Sequence, residues 1–160
     1  MGMSDKTWQH HANPWSVWTR LLFTLPMILM ALWSIKPAGL AAWLFLALVM
    51  AWTWINPRLF SVPKNTNNWA SKVTFGERIW LNRNQQTIPR HHAISAILLS
   101  LGSGAGFLSS AYAAYQHVLI IALLGGMISW ISKMWFCDRM VWLFEDMMDA
   151  NPNYRSWLKE

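Results

Sequence analysis

Four long apolar segments dominate the chain, over residues 17–35, 38–55, 92–112 and 117–136. Each is close to the roughly 20 residues with which an α-helix crosses a hydrocarbon core of about 30 Å. Because lipid cannot hydrogen-bond to peptide groups, segments of this kind cross a bilayer as helices. The pattern predicts an all-α membrane protein, with residues 1–160 forming a single membrane domain of four transmembrane helices.

The connections between the spans differ greatly in length. Residues 36–39 predict a tight hairpin between the first two spans, and residues 113–116 predict a turn between the last two. Residues 56–90 form one long polar loop between them. Within it, four residues recur at helical spacing: Trp69, Val73, Gly76 and Trp80. They predict an amphipathic helix lying in the membrane surface with its Trp side toward lipid. An ordinary helix packed on the protein is the alternative.

Prolines punctuate the predicted helices. Pro26 falls inside the first span, where its missing N–H predicts a kink. The fourth span is expected to continue as a helix over residues 137–149 and to end at Asn151-Pro152, because the residue before a proline disfavours helical geometry. Asn-Pro also occurs at Asn13-Pro14 and Asn56-Pro57, and we interpret each pair as a helix start or stop.

Composition supports the membrane assignment. Hydrophobic residues make up 54% of the chain and charged residues only 12%, about half the charged share of soluble domains. No Asp, Glu, Lys or Arg lies between Arg90 and Lys133. The net charge of +6 comes from cations beside the apolar segments, which favours anionic lipid headgroups over nucleic acid as the partner. The single cysteine, Cys137, excludes a disulfide within the chain.

The distribution of Lys and Arg predicts the orientation. The N-terminal segment, the long loop and the C-terminal segment together hold twelve of these cations, and the two short connections hold one. Cytoplasmic loops carry the excess of cations in membrane proteins. We therefore expect an inner-membrane protein whose termini and long loop are cytoplasmic.

Small residues line one face of each of the last two spans. They are Gly102, Gly106 and Ser110 in the third span and Gly125 and Gly126 in the fourth. Small residues let two helix backbones approach closely in lipid. The partner of this face lies either within the chain or in a second copy. We expect a homo-oligomer, because four helices alone rarely enclose a pore.

Four histidines fall at the predicted cytoplasmic boundary: His10, His11, His91 and His92. Imidazoles bind zinc, copper and haem iron, so two pairs meeting in space would form a metal or haem site. Adjacent histidines on a helix point about 100° apart, however, and the spacings typical of metal sites are missing. Ordinary hydrogen bonding is the preferred interpretation, and no cofactor is expected.

A layer of charged residues is predicted at the same boundary. Its members are Arg20, Arg78, Arg83, Arg90, Asp138, Arg139, Glu145, Asp146 and Asp149. Ion pairs between the loop arginines and the C-terminal carboxylates would dock the loop on the bundle. The alternatives are an acidic vestibule that concentrates cations at a pore mouth and a metal-assisted enzyme.

Four blocks of the sequence resemble a family of small uncharacterised prokaryotic membrane proteins with four spans. The blocks are residues 13–20 (NPWSVWTR), 56–60 (NPRLF), 76–80 (GERIW) and 138–147 (DRMVWLFEDM). The resemblance extends over nearly the whole chain. It is to a domain of unknown function, so it implies a membrane location and no activity.

Three functional hypotheses follow from the sequence. The leading one is a homo-oligomeric channel or a transporter-like protein, motivated by the glycine-lined helices and the charged layer. The second is a non-catalytic accessory subunit of a larger membrane complex. The third is a metal or haem site at the histidine pairs. No residue is assigned a catalytic role, and the sequence favours a protein that is not an enzyme.

Overall fold

The computed structural model describes residues 5–160 apart from the side chain of Lys6, one of the N-terminal cations counted above. Every regular element within the described residues is helical. The helices are α1 (Asp5–His11), α2 (Pro14–Ala38), α3 (Leu40–Leu59), α4 (Trp69–Leu81), α5 (Arg90–Gln116), α6 (Leu119–Met148) and α7 (Pro152–Arg155). Helices α2, α3, α5 and α6 are long and apolar enough to cross a membrane. The prediction of an all-α chain with four such helices is confirmed.

The bundle has two unlike ends. At one of them, the hairpin end, Gly39 (φ +53°) joins α2 to α3 and His117 (φ +64°) joins α5 to α6. The His117 ring stacks on Trp33 and lies 2.7 Å from the Trp33 carbonyl oxygen, which fastens the two hairpins together. The other end carries α1, α4, α7 and residues 60–68, and we refer to it as the charged end.

Residue Thr66 ties the charged end to the C-terminal tail. It is buried, and its backbone N–H donates to the Lys159 carbonyl at 2.9 Å. Its Oγ1 donates to the Trp157 carbonyl and accepts from the Lys159 N–H. The tail therefore closes over the loop between α3 and α4.

The ends of α5 and α3 differ from the prediction. Residues 113–116, predicted as a turn, complete α5, and the reversal falls at His117 and Val118 instead. The predicted helical extension over residues 137–149 is present, because α6 continues to Met148 with Asp149 as its C-cap. The Asn151 side chain caps the start of α7. Helix α3 continues through Asn56-Pro57 to Leu59. Of the three Asn-Pro pairs, Asn13-Pro14 and Asn151-Pro152 mark helix starts, and Asn56-Pro57 does not.

Helix α4 packs on the protein. Eight of its thirteen residues are buried, Trp80 among them, and Trp69 stacks on Trp18 of α2. A Cβ atom at Gly76 would lie 1.9 Å from the Met140 carbonyl oxygen, so only glycine permits this approach of α4 to α6. The predicted helix is present, but its surroundings match the alternative of a helix packed on the protein.

The small-residue faces of α5 and α6 meet within the chain. A Cβ atom at Gly106 would lie 2.6 Å from the Ser129 nitrogen, and one at Gly125 would lie 2.8 Å from the Ser110 nitrogen. The Ser110 hydroxyl donates to the Ala122 carbonyl at 2.5 Å. Gly126 faces Leu29 of α2, and Gly102 faces Ser132. All five predicted packing residues thus take part in contacts inside one chain.

Candidate ligand-binding cavity

A cavity of about 620 Å³ lies between α2, α4, α5 and α6, within the roughly 300–1,000 Å³ typical of small-molecule sites. Its walls combine apolar residues with three charged side chains: Arg20, Glu77 and Lys133. Hydroxyl groups of Thr24, Ser100, Ser103 and Ser129 line the deeper part. The cavity is charged near the charged end and becomes hydroxylic and apolar toward the middle of the bundle.

Arg20 is held by two neighbouring acceptors. Its Nε donates to the Ser16 carbonyl at 2.9 Å, and Nη1 lies 3.2 Å from His11 Nε2. Within the described part of the chain, no carboxylate lies close enough to form an ion pair with Arg20. The guanidinium is always charged, so it brings a positive charge with no direct ion-pair partner into the cavity wall.

His11 accepts the Arg20 bond from the end of α1. Burial, reinforced by the charge of Arg20, lowers the pKa of His11 from 6.5 to about 4. A neutral imidazole with a free lone pair on Nε2 can accept from the guanidinium, whereas a protonated one would repel it. His11 therefore acts as an acceptor at neutral pH.

Glu77 and Lys133 form the second charged group. The Lys133 ammonium donates to Glu77 Oε1 at 2.9 Å, joining α4 to α6. Burial alone would raise the pKa of Glu77, but the cations Lys133 and Arg20, with His11, hold it below its ordinary value. Glu77 is therefore ionised at neutral pH, and its charge offsets that of Lys133.

Asn56 positions the turn of α2 that carries Arg20. It is fully buried, its Oδ1 accepts from the Ser16 hydroxyl at 2.9 Å, and its Nδ2 donates to Thr19 Oγ1 at 2.9 Å. These bonds fix α2 against α3 one turn before Arg20. Asn56, interpreted from the sequence as helix punctuation, is a polar link between two spans.

The cavity carries one net positive charge, because Arg20 and Lys133 outnumber Glu77. A charge removed from water is costly unless it is paired. Thr24 Oγ1 is also buried in this wall, and among the described residues it has no hydrogen-bond partner. The arrangement suits a ligand that brings a negative charge and hydrogen-bonding oxygens.

The predicted charged layer exists with different partners. Glu145 pairs with Lys72 at 2.9 Å, Asp149 pairs with Arg155, and Arg78 pairs with Asp5. Three other members contact tryptophan rings: Asp138 accepts from the Trp69 indole N–H, Arg83 lies over Trp80 and Arg139 lies over Trp142. Arg90 is exposed at the start of α5. The loop docks on α6, but through Lys72–Glu145 and Glu77–Lys133. Among the residues that the structure describes, the predicted pairs between loop arginines and C-terminal carboxylates are not formed.

The two histidine pairs have separate partners. His10 Nδ1 lies 2.7 Å from the Phe60 carbonyl oxygen, and His11 contacts Arg20. The rings of His91 and His92 lie 4.1 Å apart, and both Nε2 atoms approach Asp146 Oδ2, at 3.9 and 2.7 Å. Asp146 was predicted only as a member of the charged layer.

These three residues could group around a metal ion, but the second nitrogen of His92 argues otherwise. A metal-bound imidazole normally donates its other N–H to an acceptor. His92 Nδ1 is buried, and the described residues provide no partner for it. The geometry fits a histidine whose Nε2–H donates to Asp146 better than it fits a metal ligand.

Sequence reasoning missed two of the three charged cavity residues. From the sequence, Lys133 only marks the end of the uncharged stretch and contributes to the orientation, and Glu77 lies outside the face formed by Trp69, Val73, Gly76 and Trp80. One signal was available: Glu77 is the only acidic residue between Asp5 and Asp138. A single carboxylate among many cations, next to apolar spans, is a candidate for a buried ion pair.

Four apolar helices around a charged cavity define a multi-pass α-helical membrane protein with a ligand-sized site. The chain belongs to a family of unknown function, DUF6653, whose model matches residues 1–157. This confirms the resemblance inferred from the four sequence blocks. No curated protein and no solved structure matches the chain.

Proposed function

We propose that this protein is a transporter-like membrane protein that binds an anionic group in the charged cavity and moves it across the bilayer. The observation that carries the proposal is the unpaired Arg20 guanidinium in a cavity with one net positive charge. Its Nη2 has no hydrogen bond among the described contacts and is the donor that a phosphate or carboxylate would take. Arginine donates to such oxygens in a fork geometry that lysine lacks.

The shape of the cavity favours a carrier over an open pore. Along α2 its lining runs from Val17 to Ile28, about 16 Å at 1.5 Å per residue. The lining does not include the hairpin-end residues Trp33, Gly39 or His117. Because the lining stops short of the hairpin end, a ligand bound in the cavity needs a further conformational step before release at that end, as in carriers. By the excess of cations, we propose that the charged end faces the cytoplasm.

Anion uptake into liposomes containing the purified protein tests the proposal. The panel should hold inorganic phosphate, acetate and their alkyl-chain derivatives, so that small and chain-bearing anions are both offered. We expect saturable uptake of at least one anion above empty liposomes. Replacing Arg20 by Gln should remove it, and Arg20→Lys should retain part of it.

Arg58→Gln is the matched control, because it also removes one cation from the charged end. Arg58 is exposed and lies over the Trp54 ring, away from the cavity. If no anion in the panel binds or enters, or if R20Q and R58Q behave alike, the proposal is wrong. The accessory-subunit hypothesis would then gain support if gentle purification recovered a stoichiometric partner.

A further inference from the structure

A second cavity lies beside the first, on the lipid-facing side of the bundle. It is a groove of about 650 Å³ between α2 and α6, and its lining is almost entirely apolar. We refer to it as the lipid-side groove. Its walls include Leu22, Pro26 and Trp33 of α2 and Leu119, Leu123 and Met127 of α6.

Two contacts of α2 border the groove. At the hairpin end Trp33 stacks on His117, and near the charged end the Trp130 indole N–H donates to the Leu21 carbonyl at 3.0 Å. Between these contacts Pro26 lines the gap. The groove spans Leu22 to Ser34 along α2, about 18 Å at 1.5 Å per residue.

One residue from each helix separates the groove from the charged cavity. Leu25 and Trp130 line both spaces, and Leu21, which accepts the Trp130 bond, lines the charged cavity. Leu25 and Trp130 therefore form part of the partition, and the Trp130–Leu21 hydrogen bond holds the indole in place. Breaking that bond and rotating the indole would join a positively charged cavity to an apolar channel open to lipid.

We propose that the ligand is a single-chain anionic amphiphile from the bilayer, which enters between α2 and α6 at Trp130 with its headgroup at Arg20 and its chain in the lipid-side groove. This inference rests on the proposed function and adds the ligand class and the route. Charge complementarity selects the headgroup, and the length and apolar lining of the groove accommodate the chain. Lipid and groove are equally apolar, so Arg20 supplies the affinity. The chain must still fit in the groove for the headgroup to reach Arg20, so a side chain that fills the groove excludes the ligand.

A groove-blocking substitution with a matched control tests the route. Leu123→Trp would fill the groove, whereas Leu124→Trp adds the same ring to a neighbour that lines neither cavity. Leu123 and Leu124 are 58% and 56% exposed, so both substitutions face lipid and leave the packed core intact. Binding of radiolabelled dodecyl phosphate and ethyl phosphate is measured in nanodiscs of neutral lipid, with partitioning into protein-free discs subtracted.

We expect L123W to weaken dodecyl phosphate binding by at least about tenfold, with L124W unchanged. Ethyl phosphate has the same headgroup and no long chain, so L123W should leave its binding unchanged. If L123W and L124W bind dodecyl phosphate equally while R20Q abolishes binding of both ligands, the lateral route is wrong and the anion site stands. If R20Q binds both ligands like the wild type, the anion site itself is wrong, and the route fails with it.

Discussion

The two halves of α6 pack by different rules. In the half nearer the hairpin end, the buried residues are all small: Ala122, Gly125, Gly126 and Ser129. In the half under α4 and α7 the buried residues are mostly large, among them Phe136, Met140, Leu143 and Phe144. One continuous helix thus changes from one kind of packing to the other near Lys133.

The difference is the one expected of a helix with lipid around one half and water around the other. Between lipid-exposed helices there is no hydrophobic gain from burying a leucine, so association depends on close backbone contact and a few hydrogen bonds. Where water is the alternative, burying large apolar side chains is the main favourable contribution. The first half of α6 has the packing of a membrane helix, and the second half has that of a soluble core.

The largest effect should come from the second half. Phe144→Ala removes a fully buried ring that packs on Phe75 at 5.2 Å between centroids. We expect the free energy of unfolding in detergent micelles to fall by about 3–5 kcal/mol, from lost burial and the cavity left behind. Leu124→Ala in the first half is the control, and its exposed side chain should matter little. Equal losses from the two substitutions would contradict the division of α6.

The next largest effect should be a pH dependence of the unfolding free energy that comes from the charged end and not from the first half of α6. Residues 119–132 of α6 contain no titratable side chain, whereas His11 at the charged end has its pKa lowered from 6.5 to about 4 by burial and Arg20. Because the unfolded chain binds the proton more tightly, stability is complete above about pH 6.5 and falls as pH decreases toward 4, by on the order of 3 kcal/mol. Unfolding titrations across this range measure it. His11→Gln should flatten the part of the profile that His11 contributes, and an unchanged profile would contradict the assignment.

The smallest effect should come from the glycine contacts of the first half. Gly106→Ala places a methyl group 2.6 Å from the Ser129 nitrogen, so α5 and α6 must move apart. We expect a loss of about 1–3 kcal/mol in unfolding free energy, typical of overpacking. Gly104→Ala on the same helix meets nothing within 4 Å and should be neutral or slightly stabilising, since alanine favours helix. A loss at Gly104 equal to that at Gly106 would exclude close packing as the cause.

The contrast between the two halves of α6 also explains which features the sequence could predict. The four spans and the small-residue faces follow from local patterns, because length, hydropathy and side-chain size are visible along one helix. The cavity does not follow, because Arg20, Glu77 and Lys133 lie on three helices whose relative register depends on contacts such as Gly76 against Met140. The ion-pair partners were wrong for this reason: Lys72 meets Glu145 only in the observed register, and a shift of α4 by one turn would put Asn68 or Gly76 in its place.

The histidines show a limit of helical geometry as a predictor. Adjacent residues on a helix diverge by about 100° at the backbone, which argued against a shared partner for His91 and His92. Their rings nevertheless lie 4.1 Å apart in the first turn of α5, and both reach the same carboxylate. Side-chain torsions allow this convergence, and only the position of Asp146 on the neighbouring helix decides that it occurs.

The bond between Thr66 and the tail has a consequence for how the molecule is assembled. Lys159 and Trp157 leave the ribosome after all four spans have been synthesised. The Thr66 N–H and hydroxyl therefore cannot form their bonds to these residues until then. Closure over residues 60–68 is therefore later than synthesis of the four spans. A ribosome stalled before residue 157 would hold a chain with its spans made and this latch still open.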